Sequence, residues 1–390
     1  MKVVYKGNVL NFHTYPLADA FYRILGADFT FVTDSEKKIN FDPSNIGRED
    51  TSENVQWALF ANGSPQEMAL AKQKIEEADV LLTLETNAAD FRERIKKNKL
   101  TFFYSERIFK NQSLRPWDPR MIRALLWKHW WNKNKNVFML CNSAFLPWDL
   151  HWYGLYKNKK LKWGYFPAIQ DDSWDSIKMK KSCSVPRIIW VGRLEQNAMW
   201  KHPEYAVEIA YKLKQDNFNF EMILIGGGEC YSKVYKMAQE REVLDRILFL
   251  GNMENSEVIA WLQKSDIFIF TSDRNEGWGV ALLEAMAAGC CPVSSFSAGA
   301  TEYLIQENIN GLVYHDDSID DLYFKIKYLL MNPNQIYDMG EKAYTYIREE
   351  YNADVAAKRL IEFSNARLNN DLYTVQFDSG PMSNAEIIKG

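Results

Sequence analysis

No run of 18 or more apolar residues occurs in these 390 residues, so no segment reads as a membrane span. No secretory leader is expected either, because Met1-Lys2-Val3-Val4-Tyr5 goes directly into a strand pattern with no signal-peptide pattern. Cysteine is sparse. Cys141, Cys183, Cys230, Cys290 and Cys291 form no Cys-x-x-Cys pair and no ligand spacing, which points to reduced thiols in a cytoplasmic protein. The five histidines (His13, His129, His151, His202 and His315) also lack ligand spacing, and no Asp-x-Asp element occurs, so no metal site is expected. Neither sign of charge dominates: 47 Lys and Arg stand against 51 Asp and Glu, and the net charge of −4 speaks against a nucleic-acid partner. Low-complexity tracts and internal repeats are absent. Gly7-Asn8-Val9-Leu10 does not supply the Gly-x-Gly-x-x-Gly of a dinucleotide dehydrogenase, which sets that class aside.

What the chain does have is ample core material, 47% apolar, arranged as two runs of alternating strand and helix patterns. Strands are expected at 2–5, 29–33, 80–84, 100–104, 137–140 and 161–165. A second set is expected at 187–191, 221–225, 247–250, 267–270, 292–294 and 311–314. Helical patterns such as 17–25 and 65–77 lie between them. This alternation implies an α/β fold of parallel, doubly wound sheets with ligands at the carboxyl ends of the strands. Residues 167–186 are polar and turn-rich, which divides the chain into a domain over 1–168, a linker over 169–186 and a domain over 187–350. Residues 351–390 are read as a final helix at 353–368, crossing back to the first domain, and a Gly/Ser/Asp-rich tail with little order.

Residues 276–289 carry the most chemistry. Glu276 and Glu284 flank a Gly-rich turn that follows the apolar strand 267–270 and opens into an Ala/Leu/Met helix. A helix start presents N–H groups without partners and partial positive charge, a seat for phosphate, and Gly277 and Gly279 would let an anion approach the backbone around Trp278 and Val280. Glu284 lies four residues past Val280, about 6 Å along the axis, so one carboxylate could stand on each side of a diphosphate. The same residues also read as an acidic first turn followed by a solvated glutamate. Upstream, the strand 187–191 ends in Gly192-Arg193, and Lys201 precedes a helical pattern. These two cations either converge on the same phosphates or are ordinary surface charges. Gly226-Gly227-Gly228 reads as a tight turn in which Gly227 and Gly228 could bring backbone to a nucleotide, with Asn252 near the base.

The run Pro292-Val293-Ser294-Ser295, then Gly299-Ala300-Thr301-Glu302, then Asn308-Ile309-Asn310-Gly311 completes a longer pattern. With Glu-x7-Glu, an Ala-rich helix ending in Gly and the upstream Gly192-Arg193-Leu194, it resembles the retaining GT-B glycosyltransferases of family 4 (group 1), which include bacterial cell-surface polysaccharide enzymes. Two departures are visible: Ser297-Ala298-Gly299-Ala300 stands where many members carry Gly-Gly, and the loop 194–200 is slightly long. The resemblance implies a GT-B fold, two Rossmann-like doubly wound domains facing across a cleft. It also implies metal-independent transfer from a nucleoside-diphosphate sugar, a UDP-sugar ahead of a GDP-sugar, to a saccharide or lipid-linked acceptor in cell-envelope glycan synthesis. Arg193 and Lys201 would grip the diphosphate, Glu284 the ribose hydroxyls and Glu276 the hydroxyls of the transferred sugar. Alternatives of the same fold are a sugar-nucleotide epimerase or hydrolase and a non-catalytic nucleotide-sugar binder.

On the acceptor side the candidates are His13, in the loop after the first strand, and Glu106 and Arg107, at the end of the strand 100–104. Related enzymes often carry a histidine where Glu106 stands, and the plain alternative for Glu106 and Arg107 is a mutual salt bridge. Residues 114–135 hold four tryptophans among Arg115, Arg120, Arg123, Lys128, Lys133 and Lys135, with no acid after Asp118. Such a helix either packs on the core with a solvated basic edge or lies on an anionic membrane surface, placing the protein on the inner face of the plasma membrane.

Overall fold

The structure, a computed structural model, describes residues 1–11, 13–34, 55–110, 116–181, 185–315, 318–370 and 375–389. They divide into two compact units, Met1–Ala168 with Glu350–Gly390, and Ile169–Glu349.

Unit 1 is built on seven strands: β1 (Val3–Gly7), β2 (Phe29–Thr33), β3 (Ala58–Phe60), β4 (Val80–Leu84), β5 (Leu100–Ser105), β6 (Val137–Cys141) and β7 (Lys160–Lys162). All pairings are parallel, in the order β3-β2-β1-β4-β5-β6-β7. Helices α1 (Tyr15–Leu25), α2 (Pro65–Glu77), α3 (Arg92–Lys96), α4 (Pro119–His129) and α5 (Leu146–His151) connect the strands. The central strands are apolar runs, not alternating ones, because helices cover both faces of a parallel sheet, and β2 and β6 are buried at every position. Helix α2 starts where the sequence places it because Ser64 and Glu67 form a reciprocal capping box ahead of Pro65.

Unit 2 has six parallel strands: β8 (Arg187–Val191), β9 (Glu221–Ile225), β10 (Ile247–Gly251), β11 (Ile267–Phe270), β12 (Cys291–Ser295) and β13 (Leu312–Tyr314), ordered β10-β9-β8-β11-β12-β13. Its helices are α6 (Trp174–Lys180), α7 (Glu204–Gln215), α8 (Tyr231–Glu240), α9 (Asn255–Gln263), α10 (Val280–Ala287), α11 (Thr301–Leu304), α12 (Ile319–Met331) and α13 (Pro333–Glu349). The strand order reverses between β8 and β11, so the loops leaving those neighbours diverge and open a crevice at their carboxyl ends. One face of this sheet packs Ile188, Trp190, Met222, Leu224, Ile267 and Ile269 against helix residues such as Val207, Ala210 and Ile326.

Three features differ from the sequence expectations. The stretch expected as a linker holds a helix over its described residues: α6 is capped by Ser173 and buries Ile177, and Lys180 and Lys181 are engaged within unit 2. Lys180 donates to Gln263 and Asp172, and the buried Lys181 ammonium donates to the carbonyl of Ser265. The seventh strand is shorter than 161–165, and β3 adds an edge that its three residues did not announce.

The tail after 369 is also ordered over the described residues 375–389. Met382 and Ala385 are buried, and an antiparallel bridge joins Asn384 to Leu161. Lys162 N–H donates to the Ser383 carbonyl, while Met382 and Ala385 N–H groups donate to the Lys162 and Lys160 carbonyls. The tail thereby covers the exposed edge of β7. The last helix, α14 (Ala353–Leu368), packs on α1 and β5 within unit 1. Among the described residues no helix is long and apolar enough to cross a membrane.

Arg94 is the densest polar node of unit 1. Its buried guanidinium donates to the carbonyls of Ile75, Ala78, Asp79 and Leu100 and to Thr101 Oγ1, joining the end of α2 to α3 and β5. Desolvation lowers its pKa to about 10. Arg94→Ala strands these acceptors and should cost roughly 3 kcal/mol, read as a lower urea midpoint of the unit 1 transition. Arg94→Lys should recover less than half of that, since one ammonium cannot span the fork of acceptors. An unchanged midpoint for Arg94→Ala would contradict this account.

Candidate functional site

The crevice of unit 2 is assembled by hydrogen bonds between loops that are distant in sequence. Trp190 of β8 donates its indole N–H to Thr271 Oγ1 at 2.8 Å, fixing the first residue after β11. Thr271 Oγ1 in turn donates to the Lys201 carbonyl, and Asp273 N–H donates to the Trp200 carbonyl at 2.8 Å. The segment 200–203 is therefore stitched to 271–273. Lys201 lays its stem against Gly192, where an added Cβ would come within 3.1 Å of Lys201 Cδ. Its ammonium donates to Glu276 Oε2 at 2.5 Å, and Ser272 Oγ donates to the same oxygen at 3.2 Å. Both charged side chains are mostly buried, 16% and 15% exposed, so each is the other's principal compensation in a poorly hydrated place.

His202 follows in a left-handed conformation and places its ring between two carboxylates, Glu204 at 2.7 Å from Nδ1 and Asp273 at 3.3 Å from Nε2. Hydrogen bonds to Asp273 and Glu204 raise its pKa to about 9, so at neutral pH it is an imidazolium. Asp273 also accepts from Asn275 N–H at 2.7 Å, which curls the loop toward Glu276.

Beyond Glu276 the chain turns into α10 through Gly279, whose φ of +102° and position admit no side chain: a Cβ would lie 2.3 Å from the Phe270 ring. Gly277 is buried and Val280 partly exposed at the first turn. Trp278 is also placed in the interior, 6.1 Å from the Tyr303 ring, with its carbonyl accepting from Ala300 N–H. Packing is therefore the job of the Trp278 side chain, and any contact with an anion falls to backbone. Glu284, one turn into α10, accepts from Asn255 Nδ2 at 3.2 Å. Burial pushes its carboxyl up to about 7 against the opposing effect of Asn255, and the exposure the side chain keeps moderates this. Asn255 was not foreseen. Its only signal is its place at the start of α9, just after 252–254.

Arg193 is 44% exposed, with Nη1 donating to Glu195 at 3.1 Å. The Gly triplet has a packing reason of its own: a Cβ at Gly226 would fall 1.8 Å from the Gly192 carbonyl oxygen, and one at Gly228 2.6 Å from that of Leu194. Gly227 accepts from Leu194 N–H at 2.9 Å and abuts Asn252. The structure thus brings Arg193, Lys201, Gly227, Gly228, Glu276 and the α10 start to the same end of one sheet. Glu284 stands on the α9 side of α10.

In unit 1 the acceptor-side candidates separate. Arg107 is buried, pairs with Asp149 at 3.5 Å and lies over the Phe145 ring, so it is not the partner of Glu106. Burial raises the Asp149 pKa, while Arg107 and the N–H groups of Phe109 and Ile108 oppose that. Glu106 instead takes Lys110 four residues on and touches Tyr165, whose hydroxyl is held well above its usual range by burial and by that carboxylate. His13 lies 6.3 Å from the Tyr165 ring. Tyr165 is thus the link between His13 and Glu106 that sequence reasoning did not supply. Among the described residues no group of three or more His, Cys, Asp or Glu could hold a metal. Burial pushes the thiols of Cys141, Cys290 and Cys291 up, and Cys183 lies outside the described residues.

The His202 clasp has a pH signature. Its folded pKa near 9 exceeds the unfolded 6.5, so its stabilisation is fully present below pH 6.5 and disappears as pH rises through 9. The gap in urea midpoint between the native chain and His202→Gln should therefore shrink across that window. A gap independent of pH would sink this assignment.

Residues 177–346 match the family described as glycosyl transferases group 1. An uncharacterized glycosyltransferase of Methanocaldococcus jannaschii is 30% identical over 167 residues, 43% of this chain and 41% of that protein. A GDP-mannose-dependent alpha-(1-6)-phosphatidylinositol monomannoside mannosyltransferase of Mycobacterium tuberculosis is 28% identical over 148 residues, 36% of this chain and 38% of that protein. The chain spans less than half the length of these curated relatives. Among solved structures, HepE of Anabaena in complex with UDP superimposes with a TM-score of 0.70 at 13% identity, covering 94% of this chain and 100% of that one. That likeness is one of fold, two parallel-sheet α/β domains of GT-B architecture. Residues 177–346, most of unit 2, are thus similar to the glycosyl transferases of group 1.

Proposed function

We propose that the protein moves a sugar from a nucleoside-diphosphate sugar to a saccharide or lipid-linked acceptor, retaining anomeric configuration and using no metal ion. The observation that carries this reading is the mostly buried Lys201–Glu276 pair, set against the Gly192-Arg193 turn on the loop that leads into α10. In this reading the diphosphate sits on the N–H groups at the start of α10, and Arg193 and Lys201 neutralise it. Glu276 shares Lys201 with the phosphate and accepts hydrogen bonds from hydroxyls of the transferred sugar. Glu284 holds the ribose, and a carboxyl poised near 7 can accept from a hydroxyl or donate to it.

As the bond from the anomeric carbon to the phosphate oxygen breaks, negative charge grows on the leaving diphosphate. Fixed cations and N–H dipoles stabilise that charge more than they stabilise the bound ground state. The acceptor oxygen bonds to the anomeric carbon on the departing side, and its proton passes to a phosphate oxygen. The UDP complex of the fold neighbour supports a UDP-sugar, and the GDP-mannose dependence in the name of the mycobacterial relative supports a GDP-sugar.

A thermal-shift panel of nucleoside diphosphates and their sugars should show stabilisation by one base family, and silence across the whole panel would count against the reading. Arg193→Ala should weaken donor binding and slow turnover, each by about 10- to 100-fold, through loss of a charge-assisted contact. Wild-type kinetics for that variant would remove Arg193 from the diphosphate. Glu276→Ala should lower kcat by about 100-fold with a much smaller change in donor affinity. Excess EDTA should leave the rate unchanged. Turnover of the sugar nucleotide without any acceptor would instead favour an epimerase or hydrolase.

A further inference from the structure

Helix α4 and the turn after it carry two stripes, an inner one held by polar contacts and an outer one that is largely apolar. The inner stripe, Leu125, His129 and Asn132, is buried in unit 1. It is held by polar contacts: His129 Nε2 meets Glu85 Oε1 at 2.6 Å, His129 Nδ1 meets the Tyr156 hydroxyl at 2.7 Å, and Asn132 Nδ2 donates to that hydroxyl at 2.7 Å. This clasp fixes the rotation of the helix about its axis, so the opposite stripe cannot roll inward.

That opposite stripe steps by three and four residues from Pro119 through Ile122, Leu126 and Trp127 to Trp130 and Trp131, with Arg123 among them, and lines an open groove of about 600 Å³. Trp127, Trp130 and Trp131 are 62%, 57% and 47% exposed, and Trp117 just ahead of the helix is 66% exposed. Trp127, Trp130 and Trp131 line the same groove and form a patch of the kind that marks an interaction surface, with Trp117 two residues ahead of Pro119.

The charged residue that lines the groove, Arg123, is basic, and cations predominate around it. Arg120, Arg123 and Lys133 are exposed, and the Arg92 guanidinium lies 4.3 Å from the Trp127 ring. The nearby acids are already engaged: Asp118 caps α4 and binds Arg120, and Glu93 binds Lys96. A second copy of this chain across a two-fold axis would set these cations against themselves, which argues against a dimer interface. Indoles interleaved with Arg and Lys match the headgroup layer of a bilayer carrying anionic lipid, where rings sit at the carbonyl level and cations meet phosphates.

We propose that this face of unit 1 docks on an anionic lipid bilayer, with Trp117, Trp127, Trp130 and Trp131 in the headgroup layer and Arg120, Arg123 and Lys133 on lipid phosphates. The inference does not depend on the donor site and survives or fails separately from it. The test is sedimentation of the full chain with vesicles of phosphatidylglycerol and phosphatidylcholine, against vesicles of phosphatidylcholine alone. Binding is expected to the anionic vesicles and to fall steeply as salt rises. Arg120→Glu with Arg123→Glu should reduce partitioning by about tenfold or more, and Trp127→Ser with Trp130→Ser by a similar factor. Independently of any variant, brominated lipid should quench the tryptophan fluorescence of the native chain. No binding to anionic vesicles at low salt, or equal binding to neutral ones, overturns the proposal. So does concentration-dependent self-association that the tryptophan variant abolishes.

Discussion

The site in unit 2 depends on a steric constraint: the loops leaving β8, β9 and β11 touch. Gly226 and Gly228 lie against the carbonyls of Gly192 and Leu194 where any Cβ would collide with backbone, Gly192 packs on the Trp190 ring, and Gly279 passes beside the Phe270 ring at a distance no side chain tolerates. Because these loops are in contact, a lysine after β8 can reach a glutamate after β11. The reversal of strand order sets up the crevice, and the glycines narrow it until opposite charges from its two sides meet.

Electrostatics then hold the crevice in one shape. Signs alternate through Glu204, His202, Asp273 on one side and Lys201, Glu276 on the other, with Trp190 and Thr271 joining the underlying strands. Each carboxylate in the series has a cation within reach, so none of these mostly or partly buried charges stands uncompensated. An arrangement fixed in this way need not reorganise when charge develops on a bound group, which is the condition for electrostatic catalysis. In unit 1 the comparable region is differently wired. Arg107 is taken up by Asp149, and the groups left together are His13, Tyr165 and Glu106.

How much of this was legible in the chain follows from the range of the interactions. The central strands are long apolar runs, α2 has a capping box, and Glu276 and Glu284 are linked by local spacing, so each could be read from a window of ten or so residues. Strand β3 has three residues and no pattern of its own. Helix α6 hides in a polar stretch because its polar side chains are satisfied by Gln263 and by backbone near 265, some eighty residues away. The pairing of Arg107 with Asp149 joins residues 42 apart, and Lys201 meets Glu276 across 75. No local rule connects the second pair: the sequence places Lys201 and Glu276 around the same diphosphate without pairing them with each other. The tail over 375–389 escaped for another reason: backbone pairing with β7 anchors it, and composition does not encode that.

The same tail sets an order in time. Unit 2 is one uninterrupted stretch of chain, whereas unit 1 is closed by residues 350–389, with α14 on α1 and Ser383 against β7. During synthesis the inserted unit is complete while the enclosing one still lacks a helix and the cover for its sheet edge. Until residues 382–385 have been made, β7 presents an unpaired edge, and the nascent first half is a natural client for whatever shields such edges in the cell.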